Sequence, residues 1–225
     1  MEDPQQVTLM ELCAKGIGVY SPHTSVDGAV GGMNDWLATV ATGGLDAAIE
    51  PIIPVSVEGR IFSRNELMEG HEDGGYGRIC TLLERTVISH VCKRVKSGLG
   101  VKYGTLGLFS QLIAVRVARS PIGNASVGIR TIAVCAGSGS SVFKALPKRV
   151  DVIVTGELSH HEVLSYVESG TSVILCGHTN TERGYLPTLQ RKLAENIAGE
   201  YGESRVEVIV SKADKDPLDL FNQRD

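Results

Sequence analysis

The feature that most constrains the fold is an alternation of apolar runs and amphipathic stretches that begins at about Val127. The apolar, strand-like runs are residues 127–135, 151–155, 172–176 and 205–210. The helical stretches between them are a short helix through about 146, a helix at 159–169 and a helix at 182–198. Strands that alternate with helices form right-handed βαβ units, so the sequence predicts an α/β fold with a mostly parallel sheet flanked by helices.

The N-terminal part of the chain repeats this order once. The pattern predicts a helix at about 5–14, a strand at 16–20, a turn at 23–27 and a helix around 33–40. Residues 43–126 contain Pro51, Pro54, a Gly-rich stretch and an apolar run at 106–117, and they are expected to form an insertion with some strand character. We therefore expect a single domain over 1–225, made of segments 1–42, 43–126 and 127–225.

Composition excludes several classes of protein. The net charge of −4 and the scattered basic residues argue against a nucleic-acid binder, which normally carries a basic stripe. Five cysteines without a CxxC pair indicate a reducing compartment and neither a disulfide framework nor a cysteine-type zinc site. No apolar stretch approaches the roughly 20 residues of a membrane span, and no signal peptide precedes the first helix, so a cytoplasmic protein is expected.

Two similar segments, HTSVD and HTNTE, each place a carboxylate four residues after a histidine, as His23–Asp27 and His178–Glu182. Both follow predicted strands, and ligands of open α/β sheets gather at the carboxyl ends of the strands. Imidazole and carboxylate together suit Zn, Mn, Fe or Mg. The alternative is that His178 and Glu182 only cap and polarise a helix start, because a helix dipole favours an acidic first turn. Thr179, Asn180 or Thr181 could then be the N-cap. His23 is either a ligand or a residue that fixes Asp27 or a bound water.

The segment GELSHHE follows another predicted strand. Ser159 and Glu162 have the spacing of a capping box, which predicts a helix start at this point. Because adjacent histidines on a helix point about 100° apart, His160 and His161 are not expected to reach one ion together. His160 or Glu157 remains a candidate for proton transfer or for supporting a ligand.

Four segments carry a resemblance to a known family. Three of them resemble the C-terminal half of the NIF-three-like family: CAGSGSS, TGELSHHEVLSYVESGTSVILCGHTNTERGYLPTL and SKADKDPL. Members of this family are also called the dinuclear-metal GTP cyclohydrolase 1 type 2 homologues. The family's middle segment resembles GIGVYSPHTSVDGAVGGMNDWLA, whereas residues 43–78 match poorly. The resemblance implies a two-metal site in an α/β fold and a toroidal hexamer built from dimers. It carries ligand roles onto Asp27, His178 and Glu182, with His23 close by.

The resemblance also implies that one part of the family's site is missing. Family members carry a His-His-Pro element, with two more ligands, in an N-terminal segment that precedes the region where this chain begins. The only adjacent histidines here are His160 and His161. The chain is therefore expected to be an N-terminally truncated member that lacks the first strands of the sheet. An edge strand exposed in this way promotes aggregation unless a partner covers it.

Three functions remain open at this stage. The first is a metal-dependent hydrolase of a nucleotide or related small molecule, with His160 as a candidate proton shuttle. The second is a non-enzymatic, metal-binding homo-oligomer, between a dimer and a hexamer, that docks regulatory proteins. The third is an inactive truncated paralogue that keeps the fold without a working site.

Overall fold

The computed structural model describes residues 3–55, 70, 72–99, 115–122, 128–202, 206–214 and 216 of the 225-residue chain. The helices are α1 (Pro4–Ala14), α2 (Thr24–Gly28), α3 (Met33–Thr42), α4 (Ile88–Leu99), α5 (Ser140–Phe143), α6 (His160–Glu168), α7 (Asn180–Arg183) and α8 (Leu186–Tyr201). The strands are β1 (Ala47–Pro54), β2 (Gly75–Thr86), β3 (Arg116–Ala118), β4 (Ile129–Ser138), β5 (Val152–Glu157) and β6 (Ser172–Leu175). None of the helices in these residues has the length and apolar composition needed to cross a membrane.

The strands of the described residues form one six-stranded sheet in the order β1-β2-β4-β5-β6-β3. The predicted α/β class, with helices around a sheet, is confirmed. Fewer strands pair in parallel than expected, because only β4 with β5 and β5 with β6 do so. The other three pairings are antiparallel, and each involves a strand from the 43–126 segment. The sheet is therefore mixed, with a parallel centre formed by the C-terminal βαβ units.

Two apolar cores lie on opposite faces of the sheet. On one face, α3 and α4 cover the strands, and Leu37 and Val95 belong to the same buried cluster as Ile132. On the other face, Phe143 of α5 belongs to a second cluster with Ile153 of β5. Burying a large apolar side chain contributes about 1.5–3 kcal/mol. Because β5 is covered on both faces, its residues read as one continuous apolar run rather than as an alternation.

The N-terminal helix was predicted correctly, but the strand after it was not. Gly16, with φ +66°, ends α1, and the N–H of Ile17 donates to the carbonyl of Leu12 at 2.9 Å, as in a Schellman cap. Residues 17–22 then pair with no strand of the described structure, and Tyr20 is 86% exposed. The prediction of a strand at Gly16–Tyr20 is wrong because alternating apolar residues form a strand only where a neighbouring strand supplies hydrogen bonds.

The predicted strand at 205–210 is also wrong over its described residues, 206–210. The place beside β6 is taken by β3, which pairs antiparallel with it, so no strand of the C-terminal half can add there. The segment is instead tied to α8, where Nε2 of Gln190 donates to the carbonyl of Val208 at 2.7 Å.

The segment expected to be an insertion contributes directly to the sheet. Its described residues supply β1, β2, β3 and the helix α4, so the strand character of this segment is confirmed. The apolar run at 106–117 is described only from residue 115 onward. The helix predicted at 182–198 is divided into α7 and α8, with Pro187 in the first turn of α8, where a proline starts a helix well.

Candidate metal centre

Three polar turns meet at one edge of the sheet. β4 ends at Ser138, β5 ends at Glu157, and His178 follows β6 by three residues. Because these strands are parallel, their carboxyl ends lie side by side, which is the usual place for a binding site in an α/β sheet. α7 begins immediately beyond and carries Glu182. The structure thus brings the GELSHH and GHTNTE segments to the same edge.

A β-bulge shapes this edge. Cys135 pairs with Thr155 and Ser138 pairs with Glu157, so Ala136 and Gly137 together face the single residue Gly156. Such bulges re-aim backbone groups and are common beside functional sites. The bulge needs a glycine, because Gly137 has φ +61°.

Gly137 also lies directly against the candidate ligands. A Cβ atom placed on it would be 2.6 Å from Oε1 of Glu182 and 2.9 Å from Nε2 of His178. Both distances are shorter than real Cβ contacts, so a side chain at this position would displace the two polar groups. The floor of the site is therefore bare backbone.

His178 lies between two carboxylates. Its Nδ1 is 2.9 Å from Oε1 of Glu157, and its Nε2 is 3.1 Å from Oε1 of Glu182. The hydrogen bond to Glu157, together with the two carboxylate charges, raises the pKa of His178 above its ordinary value. Burial raises the pKa of Glu182, and the opposing effect of His178 offsets this only in part.

Asp27, on the short helix α2, interacts electrostatically with His178 and Glu182. Its charge raises the pKa of Glu182, and His178 in turn acts on Asp27. Burial raises the pKa of Asp27, while His23 and His178 act to lower it. Asn34 of α3 holds this turn, because its Nδ2 donates to the backbone carbonyl of Asp27 at 3.1 Å.

His23 and His160 differ in how they interact with the candidate ligands Asp27, His178 and Glu182. His23 precedes α2 with φ +38°, a positive value that no other non-glycine residue of the described chain adopts, and its charge acts on Asp27. His160 is exposed at the start of α6, with its ring centroid 5.8 Å from that of His161. Within the described residues, no hydrogen bond or ion pair joins His160 to His178 or Glu182.

The capping box predicted for α6 is confirmed. Oγ of Ser159 accepts from the N–H of Glu162 at 3.3 Å, and Oε2 of Glu162 accepts from the N–H of Ser159 at 2.9 Å. For α7, Thr179 takes the N-cap position but makes no side-chain cap bond. Capping therefore accounts for Ser159 and Glu162, whereas it does not account for the contacts of His178.

The charges of the group favour a cation. Three carboxylates, Asp27, Glu157 and Glu182, interact with one imidazole, that of His178, and burial raises the pKa values of Asp27 and Glu182. In the described part of the chain, no three His, Cys, Asp or Glu side chains are gathered tightly enough to hold an ion. The donor types nevertheless fit: two ligands of a tetrahedral zinc at about 2.0–2.2 Å lie about 3.4 Å apart, close to the 3.1 Å between Nε2 of His178 and Oε1 of Glu182.

Two residues of this edge, Asn34 and Thr181, were not predicted as site residues. Both are polar and almost completely buried, with exposed fractions of 1% and 0%. Oδ1 of Asn34 accepts from the N–H of Ala136 at 2.9 Å, and Oγ1 of Thr181 accepts from the N–H of Gly137 at 2.8 Å. Their short separation in sequence from predicted ligands, Asn34 from Asp27 and Thr181 from Glu182, is the signal that could have pointed to them.

The amino-acid sequence of this chain is similar to those of known proteins. The Protein NIF3 homolog of Schizosaccharomyces pombe is 44% identical over 97% of this chain, and the NGG1-interacting factor 3 of Saccharomyces cerevisiae is 38% identical over 96%. The aligned parts cover 69% and 66% of those two proteins, so the chain spans about two thirds of their length.

Solved structures share the fold at low sequence identity. A Staphylococcus aureus protein superposes with a TM-score of 0.71 at 20% identity, covering 98% of this chain and 75% of that one. A Bacillus cereus protein related to NIF3 gives a TM-score of 0.66 at 20% identity, covering 95% and 76%. The sequence model of the family described as Duf34/NIF3 (NGG1p interacting factor 3) matches residues 1–217. The chain therefore belongs to the Duf34/NIF3 family.

Proposed function

We propose that this chain binds a divalent metal ion through Asp27, His178 and Glu182, and that it hydrolyses a nucleotide or a related small molecule there. The observation that carries the proposal is the position of the His178 ring between two carboxylates at the carboxyl edge of the parallel strands. The charge of Asp27 reaches the same group. A histidine held in this way is typical of metal sites, where a carboxylate on one ring nitrogen orients the other toward the ion.

Each residue has a distinct role in the proposal. Glu157 holds Nδ1 of His178 and so directs Nε2 toward Glu182. Asp27 and Glu182 supply oxygen donors. His23 is a further ligand or a support for Asp27, since its charge acts on that carboxylate. His160 remains the candidate proton shuttle, from an exposed position at the start of α6.

The donor set favours some metals over others. Imidazole nitrogen with carboxylate oxygen suits Zn, Mn or Fe better than Mg, which prefers oxygen ligands alone. In complete members the resemblance implies two ions per site. An ion bound at this edge would polarise a substrate oxygen and make bound water acidic near neutral pH. The chain's own groups would orient the substrate and carry the proton.

The test is the metal content of the purified protein. Wild type, prepared without chelators or a His tag, is compared by elemental analysis with His178→Ala and Glu182→Gln. Two exposed residues outside the site give matched controls, His90→Ala on α4 and Glu168→Ala at the end of α6. We expect at least about one tightly held ion per chain in wild type and both controls, and a large loss in both site variants.

Two results would contradict the proposal. Folded wild type with no ion would remove the metal site, and equal metal in wild type and Glu182→Gln would place the ion elsewhere. If the ion is present, nucleotides are screened for hydrolysis with the same variants. A hydrolase loses turnover by orders of magnitude in Glu182→Gln while its circular dichroism spectrum stays unchanged.

A second candidate function is the docking of a regulatory protein by a homo-oligomer, between a dimer and a hexamer. The printed name of the Saccharomyces cerevisiae relative, an interacting factor, favours it. In this case Glu182→Gln should lose metal and keep its protein partner, and light scattering should give a mass above 24.0 kDa. The docking function would be contradicted if neither wild type nor Glu182→Gln bound a protein partner in a pull-down. A monomeric mass at micromolar protein concentration would contradict the homo-oligomer.

We also propose a cytoplasmic location. All five cysteines are free, and burial raises the pKa of Cys80, Cys135 and Cys176 to about 12, which keeps these thiols unreactive. Free thiols in this number are typical of a reducing compartment. Cell fractionation with a cytosolic marker tests this location.

A further inference from the structure

We infer that the bulge at Ala136–Gly137 aligns the two halves of the metal site, with Asn34 and Thr181 as the positioning residues. The inference deepens the proposed metal site and rests on it. One half of the site is Asp27 on α2; the other is the turn from His178 into α7. The two halves are far apart in the sequence, so something in the fold must set their separation.

The bulge frees two successive backbone amides. Two residues of β4 face one residue of β5 at this point, so the ladder between the strands is interrupted. The freed N–H groups of Ala136 and Gly137 donate to two buried side chains, at 2.9 Å and 2.8 Å. These side chains belong to different elements, Asn34 to α3 and Thr181 to α7.

Asn34 connects the first amide to the Asp27 turn. Its Oδ1 accepts from Ala136, and its Nδ2 donates to the carbonyl of Asp27 at 3.1 Å. A backbone N–H requires an acceptor and a carbonyl requires a donor, so these two partners fix which way the amide of Asn34 points. The uncharged amide of Asn34 supplies both groups, a carbonyl oxygen that accepts and an NH₂ that donates.

Thr181 makes the matching connection for the second half. Its Oγ1 accepts from Gly137 and donates its single hydrogen to the carbonyl of His178 at 2.7 Å. The carbonyl of Gly137 accepts in turn from Oγ1 of Thr155 at 3.3 Å, which holds the bulge against β5. Each chain of bonds therefore runs from the bulge through a buried side chain to the backbone of a proposed ligand.

The arrangement does more than satisfy buried polar groups. A bond that served only the fold could end on any carbonyl, but both of these end on residues that carry proposed ligands, Asp27 and His178. Adjacent Cα atoms are about 3.8 Å apart, so adjacent amides fix the spacing of the two turns closely. A site preset in this way binds an ion without first ordering its ligands.

The test is a titration with Co²⁺. Binding is monitored through the visible absorption bands of the bound ion, which report the geometry of its ligands. Asn34→Ala removes the first connection. Thr181→Val removes the second at nearly constant volume, and Thr181→Ser keeps the hydroxyl. The matched control is Thr171→Val: Thr171 is equally buried, and its Oγ1 donates to the carbonyl of Val150 at 2.7 Å, at the opposite end of β6.

We expect Asn34→Ala and Thr181→Val to weaken Co²⁺ binding on the order of 10- to 100-fold and to shift the absorption bands. Thr181→Ser should bind within a few-fold of wild type. Thr171→Val should lose stability to a similar degree as Thr181→Val and keep the wild-type affinity and spectrum. If Asn34→Ala does not fold, the two Thr181 variants decide the inference, since valine fills the same space.

A double-mutant cycle separates positioning from general damage. Because Asn34 acts through Asp27, Asn34→Ala should weaken Co²⁺ binding little further once Asp27→Ala is present. Full additivity would overturn the role of Asn34. Wild-type affinity in Thr181→Val, or equal losses in Thr181→Val and Thr171→Val, would overturn the alignment by the bulge and leave the metal site standing. Absence of Co²⁺ binding in folded wild type would overturn both.

Discussion

At the scale of single residues, Gly137 carries two constraints at once. Its φ of +61° lies in the left-handed region, and its missing Cβ leaves room for Glu182 and His178. We therefore predict that Gly137→Ala destabilises the fold by about 1–2 kcal/mol through the backbone and also lowers the metal content. Thermal unfolding and elemental analysis of the same preparation measure the two effects.

Gly44 is a matched control for this prediction. It has φ +76°, and a Cβ atom on it would meet nothing within 4 Å. Gly44→Ala should therefore show the backbone effect alone, with wild-type metal content. If both alanine variants kept the ion equally, the contact of Gly137 with the candidate ligands would have no bearing on binding.

At the scale of elements, the start of α6 links stability to pH. Hydrogen bonds from the side chain and backbone of Ser159 lower the pKa of Glu162 below its ordinary 4.5. A lowered folded-state pKa adds stability that is present above pH 4.5 and is lost as the pH falls through the folded value. We predict that Ser159→Ala lowers the free energy of unfolding by about 1 kcal/mol at pH 7.

The difference between wild type and Ser159→Ala should shrink in acid. Denaturant unfolding at several pH values between about 3 and 7 measures it. The control is Ser169→Ala at the other end of α6, whose Oγ donates to the carbonyl of Tyr166 at 2.8 Å and to no titrating group. A loss for Ser159→Ala that stays constant with pH would mean that Glu162 does not take part in the cap.

An ion pair between a buried arginine and a partly exposed aspartate joins β2 to α3. Arg78 is 2% exposed, and its Nε and Nη2 donate to the carboxylate of Asp35. The same carboxylate accepts from the N–H of Gly31, so it also holds the turn between α2 and α3. Removing the carboxylate leaves the buried charge of Arg78 uncompensated, and we predict that Asp35→Ala costs about 3–5 kcal/mol.

Chemical denaturation measures this loss, and the exposed pair of Arg191 and Glu195 is the control. Its Nη1–Oε1 distance is 3.2 Å, with both side chains 61% exposed, so Glu195→Ala should cost at most about 0.5 kcal/mol. Equal losses for Asp35→Ala and Glu195→Ala would show that the burial of Arg78 contributes nothing to the pair.

The elements that the sequence predicted are those that depend on local patterns. The capping box at Ser159 and Glu162 needs four residues, and the runs that became β4, β5 and β6 are apolar because both faces of the sheet are covered. The two wrong strands, at 16–20 and 205–210, have the alternation of a strand without a partner. Whether a neighbour is available depends on distant parts of the chain, such as β3.

The difference between local patterns and long-range contacts also explains which residues of the candidate site could be predicted. His23, Asp27, His178 and Glu182 were predicted as candidates because the two members of each pair lie four residues apart. Asn34 was missed because its acceptor contact, with Ala136, spans 102 residues. No window of sequence shows that β4 has a bulge there, since the bulge is defined by pairing with β5.

At the scale of the whole molecule, the proposed site joins parts of the chain that are far apart. Asp27 belongs to the N-terminal segment, and His178 and Glu182 follow the last parallel strand. An ion bound by all three exists only in the folded protein, so binding must stabilise the entire fold. The size of this effect depends on the free ion concentration relative to the dissociation constant.

We predict that Zn²⁺ at a free concentration of about 100 times its dissociation constant stabilises wild type by about 2.7 kcal/mol. For a domain of this size, that corresponds to a rise in Tm of about 5–11 °C. Differential scanning calorimetry with buffered Zn²⁺ measures the rise, and Glu182→Gln should show almost none. If Zn²⁺ raised the Tm of Glu182→Gln as much as that of wild type, the stabilising ion would be bound outside this site, because the variant keeps the rest of the fold and lacks only one ligand charge.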